Sequence, residues 1–228
     1  MQPYTFPYLG YFQLINAVDT FVFYDDVNFI KRGWINRNNI LVNGQGSLFT
    51  IPLLKASQNK QINEVEVVFD EKWKNQFFKS IEYNYKNAPY YKYVRGLLEQ
   101  LFSKDFNNIA ELAIESVIMT SKFLGLNTNF KISSKTHAET KGLNRADRLI
   151  TICHLEGANV YVNPNGGKEL YQKEYFSDKN VTLHFIQNDL VPYNQNVEKF
   201  VPGLSILDAL MFNSVEEIQK MLTNYRLE

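Results

Sequence analysis

The hydrophobic positions in the first third of the chain fall in short runs separated by polar residues, a pattern that is typical of strands. Residues 19–24 form a β-branched and aromatic run, which predicts a buried strand, and residues 11–17 before it predict a short helix. The apolar runs 36–42 and 47–53 are separated by Asn-Gly-Gln-Gly, which predicts a β-hairpin. Residues 65–69 are a further predicted strand.

The middle of the chain carries the longer periodicity of helices. Helices are predicted over about 72–86, from Pro89 to about 102, and over 107–124. Gly125 then suits the C-terminal cap of the third helix. We expect these helices to form a helical lobe at about 72–124.

Predicted strands and helices alternate in the last half of the chain. They are strands at 130–133, 159–163 and 182–186, a helix over 144–155, and a last helix that the capping box Ser214-Val-Glu-Glu217 opens. Such alternation is typical of an α/β fold with parallel strands, to which the hairpin adds antiparallel ones. The predicted fold is therefore α/β, with a mixed, partly parallel sheet flanked by helices. No linker or repeat interrupts it, so we expect a single domain over 1–228.

Composition narrows the functional classes. The 228 residues include 24 basic and 24 acidic ones, a balance that argues against a general nucleic-acid-binding protein. Cys153 is the single cysteine, which excludes an internal disulfide and a cysteine-rich zinc site. No apolar run approaches the roughly 20 residues that span a bilayer, and the N-terminus lacks the basic and apolar regions of a signal peptide. We therefore expect a cytoplasmic protein with no membrane span, no nucleic-acid partner and no cysteine-rich zinc site.

The densest cluster of reactive side chains follows the first predicted strand. Asp25 and Asp26 come directly after it, and paired carboxylates can hold Mg²⁺ or act as a general base. Ligands of open α/β sheets gather at the carboxyl ends of strands. The candidate substrate-binding residues that come next are Lys31, Arg32, Trp34, Asn36 and Arg37. Guanidinium groups suit phosphate or carboxylate and an indole can stack on a ring, whereas the alternative is a set of solvated surface ion pairs.

A glycine-rich turn after the strand at 159–163 is the second candidate. Its candidate ligand-binding residues are Asn165, Gly166, Gly167, Lys168 and Tyr171. Two adjacent glycines allow backbone N–H groups to converge on an anion. The turn is not a P-loop, because Val162 and Glu169 stand where that motif requires glycine and Ser or Thr. The alternative is a plain turn between a strand and a helix.

Three further residues between positions 137 and 148 are candidates. His137 is a candidate general acid or base, and the alternative is an exposed histidine without a role. Arg145 and Arg148 lie three residues apart and hence on one face of the predicted helix. They either face the ligand or solvate that face.

These motifs together resemble the WbqC-like family. The residues that carry the resemblance are Gln2-Pro3, Pro7-Tyr8, Gly10-Tyr11-Phe12, Asp25-Asp26-Val27, Lys31-Arg32, Trp34 and Asn36-Arg37-Asn38-x-Ile40, and later Gly157-Ala158, Tyr161, the double-glycine turn with Tyr171, and Leu204-Ser205-Ile206-Leu207-Asp208. The resemblance thus covers nearly the whole chain. The chain departs from the family pattern at Asn28, where Gln is expected, and at Asn144, where Lys or Thr more often precedes the arginine.

The resemblance implies a role but not a settled reaction. Members of the family are bacterial, and some lie among genes for O-antigen and other surface polysaccharides. This implies an enzyme of lipopolysaccharide-type surface-polysaccharide biosynthesis, a transferase acting on a phosphorylated or nucleotide-activated small molecule. Two alternatives stay open: a non-catalytic binding or scaffold subunit of a glycan assembly complex, and an enzyme that transfers an acyl or aminoacyl group to an amino sugar.

The start of the chain is similar to a second known motif. Tyr8-Leu-Gly10-Tyr11 has the layout of the HxGH phosphate-binding turn of nucleotidylyltransferases, with tyrosines in place of the histidines. This layout implies a Rossmann-like, nucleotidylyltransferase-like core in which Gln2, Tyr8 and Gly10 face the ligand. We therefore expect residues 2–11, 25–37 and 165–171 to line one cleft around an anionic ligand.

Overall fold

The computed structural model describes all 228 residues as a chain of short strands and helices in alternation. The strands are β1 (Thr20–Phe23), β2 (Arg37–Val42), β3 (Gln45–Thr50), β4 (Asn129–Ile132), β5 (Val160–Pro164), β6 (Thr182–Asn188) and β7 (Tyr225–Leu227). The helices are α1 (Leu9–Asn16), α2 (Glu71–Tyr85), α3 (Tyr91–Phe102), α4 (Ile109–Phe123), α5 (Ser133–Thr136), α6 (Arg145–Leu155), α7 (Lys173–Ser177), α8 (Ile206–Phe212) and α9 (Val215–Leu222). Three 3₁₀ turns occupy Ile62–Glu64, Ala138–Thr140 and Asn165–Gly167.

The strands form three small sheets where the pattern predicts one. β1 pairs with β4 in parallel, and β2 pairs with β3 antiparallel. In the third sheet, β5 and β6 are parallel and β7 is antiparallel to β6. The α/β class and the mixed pairing are confirmed. Because no sheet has more than three strands, a Rossmann-like or nucleotidylyltransferase-like core stays a prediction.

The hairpin forms where it is predicted, but with a tighter turn. Pairing continues up to Val42 and Gln45, so the turn consists of Asn43 and Gly44 alone. Their φ angles of 50° and 75° are both positive, as a two-residue hairpin turn requires and as Asn-Gly allows.

The predicted strand at 65–69 is wrong. This segment is extended, but its neighbouring residues bridge to different parts of the chain: Glu66 to Asn108 and Val67 to Leu53. Because each partner segment makes only a single bridge to it, the segment forms no continuous ladder of β-sheet hydrogen bonds.

The predicted helices at 72–124 are present as α2, α3 and α4, with Asp70 and Asn108 accepting hydrogen bonds as N-caps of α2 and α4. They do not form a core of their own. Their buried side chains belong to a cluster of 39 residues that α1, β1, α8 and α9 share. A second cluster of six buried residues joins α6, α7 and β6: Ile150, Cys153, Phe176, Val181, Leu183 and Phe185.

β1 lies between these two groups of helices. Phe21 and Phe23 are buried in the large core, and alternate residues of a strand point to opposite faces. Tyr24, the residue after β1, meets α6 on the other side, where the guanidinium of Arg148 covers its ring. The strand thus reaches both layers of helices, and its carboxyl end lies at their junction.

Candidate functional site

A cavity of about 410 Å³ separates β1 from β5. Its walls are mostly apolar and come from α1, β1, α6 and β5. β4 is the strand partner of β1 and β6 is that of β5, so both strands present an unpaired edge to the cavity. A cavity of this size and character is suited to a small molecule.

The pairing register identifies the backbone groups on these edges. The N–H of Asn129 donates to the carbonyl of Asp19, so the odd-numbered residues of β1 bond to β4 and the even-numbered ones face away from it. By the same rule, the bond from Thr182 N–H to Asn159 leaves Val160 and Val162 facing the cavity. Both walls therefore offer backbone donors and acceptors to a ligand.

Met1 occupies part of the β1 edge. Its amino group donates to the carbonyl of Val22 at 2.8 Å, and its carbonyl accepts from the N–H of Tyr24 at 2.8 Å. Burial lowers the pKa of this amino group to about 5. Met1 thereby lines the cavity beside β1.

Asp25 holds the carboxyl end of β1 against that of β4. It is 3% exposed and accepts hydrogen bonds from Ser134 N–H at 3.0 Å and from Ser134 Oγ at 2.6 Å. Asn63 Nδ2 donates at 3.2 Å, and Ser133 Oγ lies 3.1 Å away with its one hydrogen directed to Asp26. With three donors around its two oxygens, this carboxylate is engaged within the protein.

Asp26 joins the same network to α6. It accepts from Ser133 Oγ at 2.5 Å and from Arg148 Nη2 at 2.6 Å, and it is 5% exposed. Neither aspartate lines the cavity. Their arrangement suits the positioning of Arg148 and β4, and no group of three His, Cys, Asp or Glu residues is placed to hold a metal ion.

Arg148 links this network to the cavity. Its Nε donates to Thr140 Oγ1 at 3.0 Å and its Nη2 to Asp26, while the guanidinium carbon lies 4.4 Å from the ring centroid of Tyr24, which lines the cavity. Two of its five N–H donors thus have protein acceptors. Burial raises the pKa of Tyr24, and the charge of Arg148 opposes that rise. The remaining donors make Arg148 the strongest candidate for holding an anion.

The double-glycine turn packs against the carboxyl end of β5. A Cβ at Gly167 would lie 1.7 Å from Asn163 Nδ2, so any side chain at this position requires the amide of Asn163 to shift. Asn163 lines the cavity and its Oδ1 accepts from Tyr161 OH at 3.2 Å. Gly167 therefore serves close packing beneath a cavity residue. Gly166 has open space around it.

The other residues of this turn are spread over the surface. Lys168 pairs with the carboxylate of Glu228 and is unavailable to an anion in this arrangement, and Asn165 is exposed. Tyr171 packs edge-on against Phe176 and is half-buried; burial raises its pKa, and nearby Arg145 opposes the rise.

A carboxylate that sequence reasoning missed lines the cavity where α6 ends. Glu156 Oε1 lies 2.8 Å from Nε2 of His137, whose Nδ1 lies 2.9 Å from Thr136 Oγ1. His137 is 1% exposed, so it is not the exposed histidine of the alternative interpretation, and it reaches the cavity only through Glu156. Cys153 also lines the wall, and burial raises the pKa of its thiol to about 11, which leaves it unreactive.

Residues 2–11 do not line this cavity. Tyr8 lines a separate small cleft beside Tyr193, and the backbone carbonyl of Gln2 accepts from the hydroxyl of Tyr11. The carbonyl of Gly10 accepts from Asn188 Nδ2 at 3.1 Å. These contacts are structural.

The basic segment after β1 lies outside the cavity too. Lys31, Arg32 and Trp34 are exposed, and Arg37 Nε donates to the carbonyl of Gly33 at 2.8 Å. Asn36 Nδ2 donates to the carbonyl of Ile51 and holds the start of the hairpin.

The three segments that are predicted to share one cleft do not line this cavity. None of the predicted site residues lines the cavity between β1 and β5, although three of them contact its lining: Arg148, His137 and Gly167. Tyr24 and Tyr161 were missed because a tyrosine next to a strand or within one is ordinary. The position of Tyr24 directly before Asp25-Asp26 was the available signal.

The divided sheet, the helices that cover it and the cavity between the edges of β1 and β5 define an α/β protein with a pocket of small-molecule size. The chain belongs to the WbqC-like protein family, whose model matches residues 2–220. It is similar to Rv1507c, an uncharacterized protein of Mycobacterium tuberculosis (strain ATCC 25618 / H37Rv), with 27% identity over 210 residues, 91% of this chain and 89% of that one. No solved structure matches. None of the helices combines the length and apolar character needed to cross a membrane.

Proposed function

We propose that this protein is a transferase of bacterial surface-polysaccharide biosynthesis that acts on a phosphorylated or nucleotide-activated small molecule. The observation that carries the proposal is the 410 Å³ cavity, with the guanidinium of Arg148 packed against Tyr24 in its wall. An apolar pocket with a few fixed polar groups is the usual form of a small-molecule site.

The positive charges of Arg148 and Arg145 favour the binding of an anionic group near Tyr24. Beyond its bonds to Thr140 and Asp26, Arg148 has further N–H donors beside Tyr24, and Arg145 lies near Tyr171 on the same side of α6. Arginine is the side chain best suited to bind phosphate through two parallel hydrogen bonds. The body of the ligand then lies between β1 and β5, where the N–H of Val22 and the backbone groups of Val160 and Val162 face the cavity.

Asp25 and Asp26 have an indirect role in this proposal. Both are buried and hydrogen-bonded, and Asp26 fixes the position of Arg148. The roles of base and Mg²⁺ ligand that the sequence suggested for them are therefore not needed here. Lys31, Arg32 and Arg37 do not line the cavity and are left out of the site.

Thermal unfolding with a panel of ligands tests the proposal. The panel contains UDP-glucose, dTDP-glucose, ADP-glucose and glucose 6-phosphate, each with and without Mg²⁺, against inorganic phosphate alone. A ligand at 100 times its Kd adds about 2.7 kcal/mol to the free energy of unfolding, which is a readily measured shift. If no member of the panel stabilises the protein, the proposal fails.

The Arg148→Lys variant tests whether the anionic group of the ligand binds at Arg148. Lysine keeps the charge beside Asp26 but loses the planar fork, so we expect affinity for a stabilising ligand to fall at least tenfold. Arg32→Lys, the same change at an exposed residue, should leave affinity unchanged. Equal affinities for both variants would place the anion elsewhere.

A further inference from the structure

We propose that Glu156 and His137 form a proton-transfer pair in the cavity wall, with Glu156 as the general base of the transfer. This inference rests on the proposed function. It adds a base at the end of α6, whereas the anion lies near the start of that helix at Arg148.

Hydrogen-bond accounting places a proton within the pair. The hydroxyl of Thr136 has one hydrogen, and it is used toward the carbonyl of Ile132 at 3.0 Å. Thr136 Oγ1 must then accept from His137, so Nδ1 of His137 carries a hydrogen. The 2.8 Å contact between Nε2 of His137 and Glu156 therefore needs a second proton, carried by one of these two atoms.

The surroundings hold the imidazole in place. The hydroxyl and the N–H of Thr140 both donate to the carbonyl of His137, at 2.7 and 3.0 Å. The ring is 1% exposed and has both nitrogens in contact with partners. Such a histidine cannot reach a substrate, but it can orient Glu156 and stabilise its charge, as a positioning residue.

Glu156 itself is placed to meet a ligand. Its side chain is 15% exposed, it lines the cavity, and its Oε2 has no protein partner. A carboxylate with one oxygen fixed and one free toward a pocket is suited to accept a proton.

The transfer step balances with the groups present. A hydroxyl or amine of the acceptor attacks the group to be transferred and forms the new bond. The bond to the phosphate or nucleotide breaks, and this leaving group keeps the electron pair beside Arg148. The proton of the acceptor passes to Glu156, and the pair later releases a proton to solvent.

NMR of ¹⁵N-labelled histidine tests the pair without any substrate. We expect His137 to show a protonated Nδ1 in the wild-type protein, and Glu156→Gln to change the Nε2 signal strongly. Glu139→Gln, an exposed carboxylate in the turn after His137, should leave both signals in place. An unprotonated Nδ1, or an Nε2 that Glu156→Gln does not affect, would overturn the pair.

Release of phosphate or nucleotide from the ligand panel, with water as acceptor and ³¹P NMR as readout, tests the catalytic role. We expect Glu156→Gln to lower the rate by about 100-fold or more while thermal shifts show unchanged ligand affinity. A rate equal to wild type would exclude Glu156 as the base. If the wild-type protein releases nothing from any donor, both the proposed transfer and the catalytic role of Glu156 are excluded. The NMR experiment uses no substrate, so it still decides whether His137 and Glu156 share a proton.

Two substitutions at His137 separate positioning from packing. His137→Gln retains a donor near the place of Nε2 and should retain more of the rate than His137→Phe, which has none. Ligand affinity, which does not depend on the base, reports whether each variant is folded. Equal rates for the two variants at equal affinity would show that His137 does not position Glu156.

Discussion

Arg148 shows how one residue serves both stability and binding. It is 5% exposed, and the cost of removing its charge from water is offset by Asp26, Thr140 and the ring of Tyr24. The net contribution of such a buried pair to stability is small, but removal of one partner leaves the other charge buried and uncompensated.

Arg148→Met should therefore destabilise the fold by about 3–5 kcal/mol, because Asp26 stays buried without its cation. Urea unfolding measures the change. Arg145→Met, at an exposed position of the same helix, is the matched control and should change stability by less than about 0.5 kcal/mol. Replacing Asp26 by Asn in the Arg148→Met background should restore part of the loss. Similar losses for both arginine variants would contradict the buried pair.

Gly167 and Gly166 provide a second matched comparison. A methyl group at Gly167 meets Asn163 in the cavity wall, so Gly167→Ala should cost about 1–3 kcal/mol. Gly166→Ala has open space and no positive φ, and should be neutral or stabilise by up to about 1 kcal/mol. Chemical denaturation measures the free energy of unfolding of both variants. Equal effects would mean that Asn163 moves aside without cost.

Sequence identified Arg148 as a candidate but not its burial. The burial depends on Asp26 and Thr140, which lie 122 and 8 residues away in the chain. Glu156 carried no signal, because a glutamate between a helix end and a glycine is commonplace on protein surfaces. Single reactive residues could thus be identified from the sequence, whereas the residues that they contact in the folded protein could not.

At the scale of elements, the features with local causes were predictable. Helix starts are set by side chains such as Asn144 and Ser214, which accept hydrogen bonds from N–H groups three residues later. The hairpin depends on two adjacent turn residues. The segment at 65–69 failed as a strand because strand formation needs a partner, and its partners are distributed over two distant segments.

The unpaired edge of β5 predicts an alternating pattern of amide exchange. The N–H groups of Val160 and Val162 face the cavity, and those of Tyr161 and Asn163 bond to β6. In the free protein we expect the two valine amides to exchange faster with deuterium than their neighbours. Residue-resolved NMR exchange measures this. Uniform protection of all four amides would show that β1 and β5 close onto each other in solution.

A hydrogen-bonded carboxylate links α8 to α2. Asp208 accepts from Tyr85 OH at 2.9 Å, and from Tyr193 OH and Gln195 Nε2 at 2.7 Å each. Burial raises the pKa of Asp208 by more than these hydrogen bonds lower it. The folded protein therefore holds this proton more tightly than the unfolded chain does.

This proton makes stability depend on pH in a known direction. Between the unfolded pKa of about 3.9 and the raised pKa of Asp208, the folded state binds more protons, so its contribution to stability falls as pH rises. Asp208→Asn has no such proton. We expect the free energy of unfolding of wild type, minus that of Asp208→Asn, to decrease with pH in this window, as urea unfolding at a series of pH values would show. An increase would mean that the three hydrogen bonds outweigh burial.

At the scale of the whole molecule, the sequence predicted the class of fold but not the division of the sheet. Whether β1 joins β5 depends on how α1 and α6 hold the two strands, and on Met1 at the edge of β1. The cavity results from packing between residues 1–24 and residues 149–164, which are distant in the chain. Periodicity within one segment carries no information about such a gap.

The pairing of β1 with β4 also has a consequence during synthesis on the ribosome. Thr20 and Asn129 pair across more than 100 residues, so the aromatic strand emerges early and its partner late. At about 5–20 residues per second, translation leaves β1 without its partner for roughly 5–20 seconds. An aromatic strand with bare edges is prone to associate with other nascent chains, which makes it a natural client of ribosome-bound chaperones.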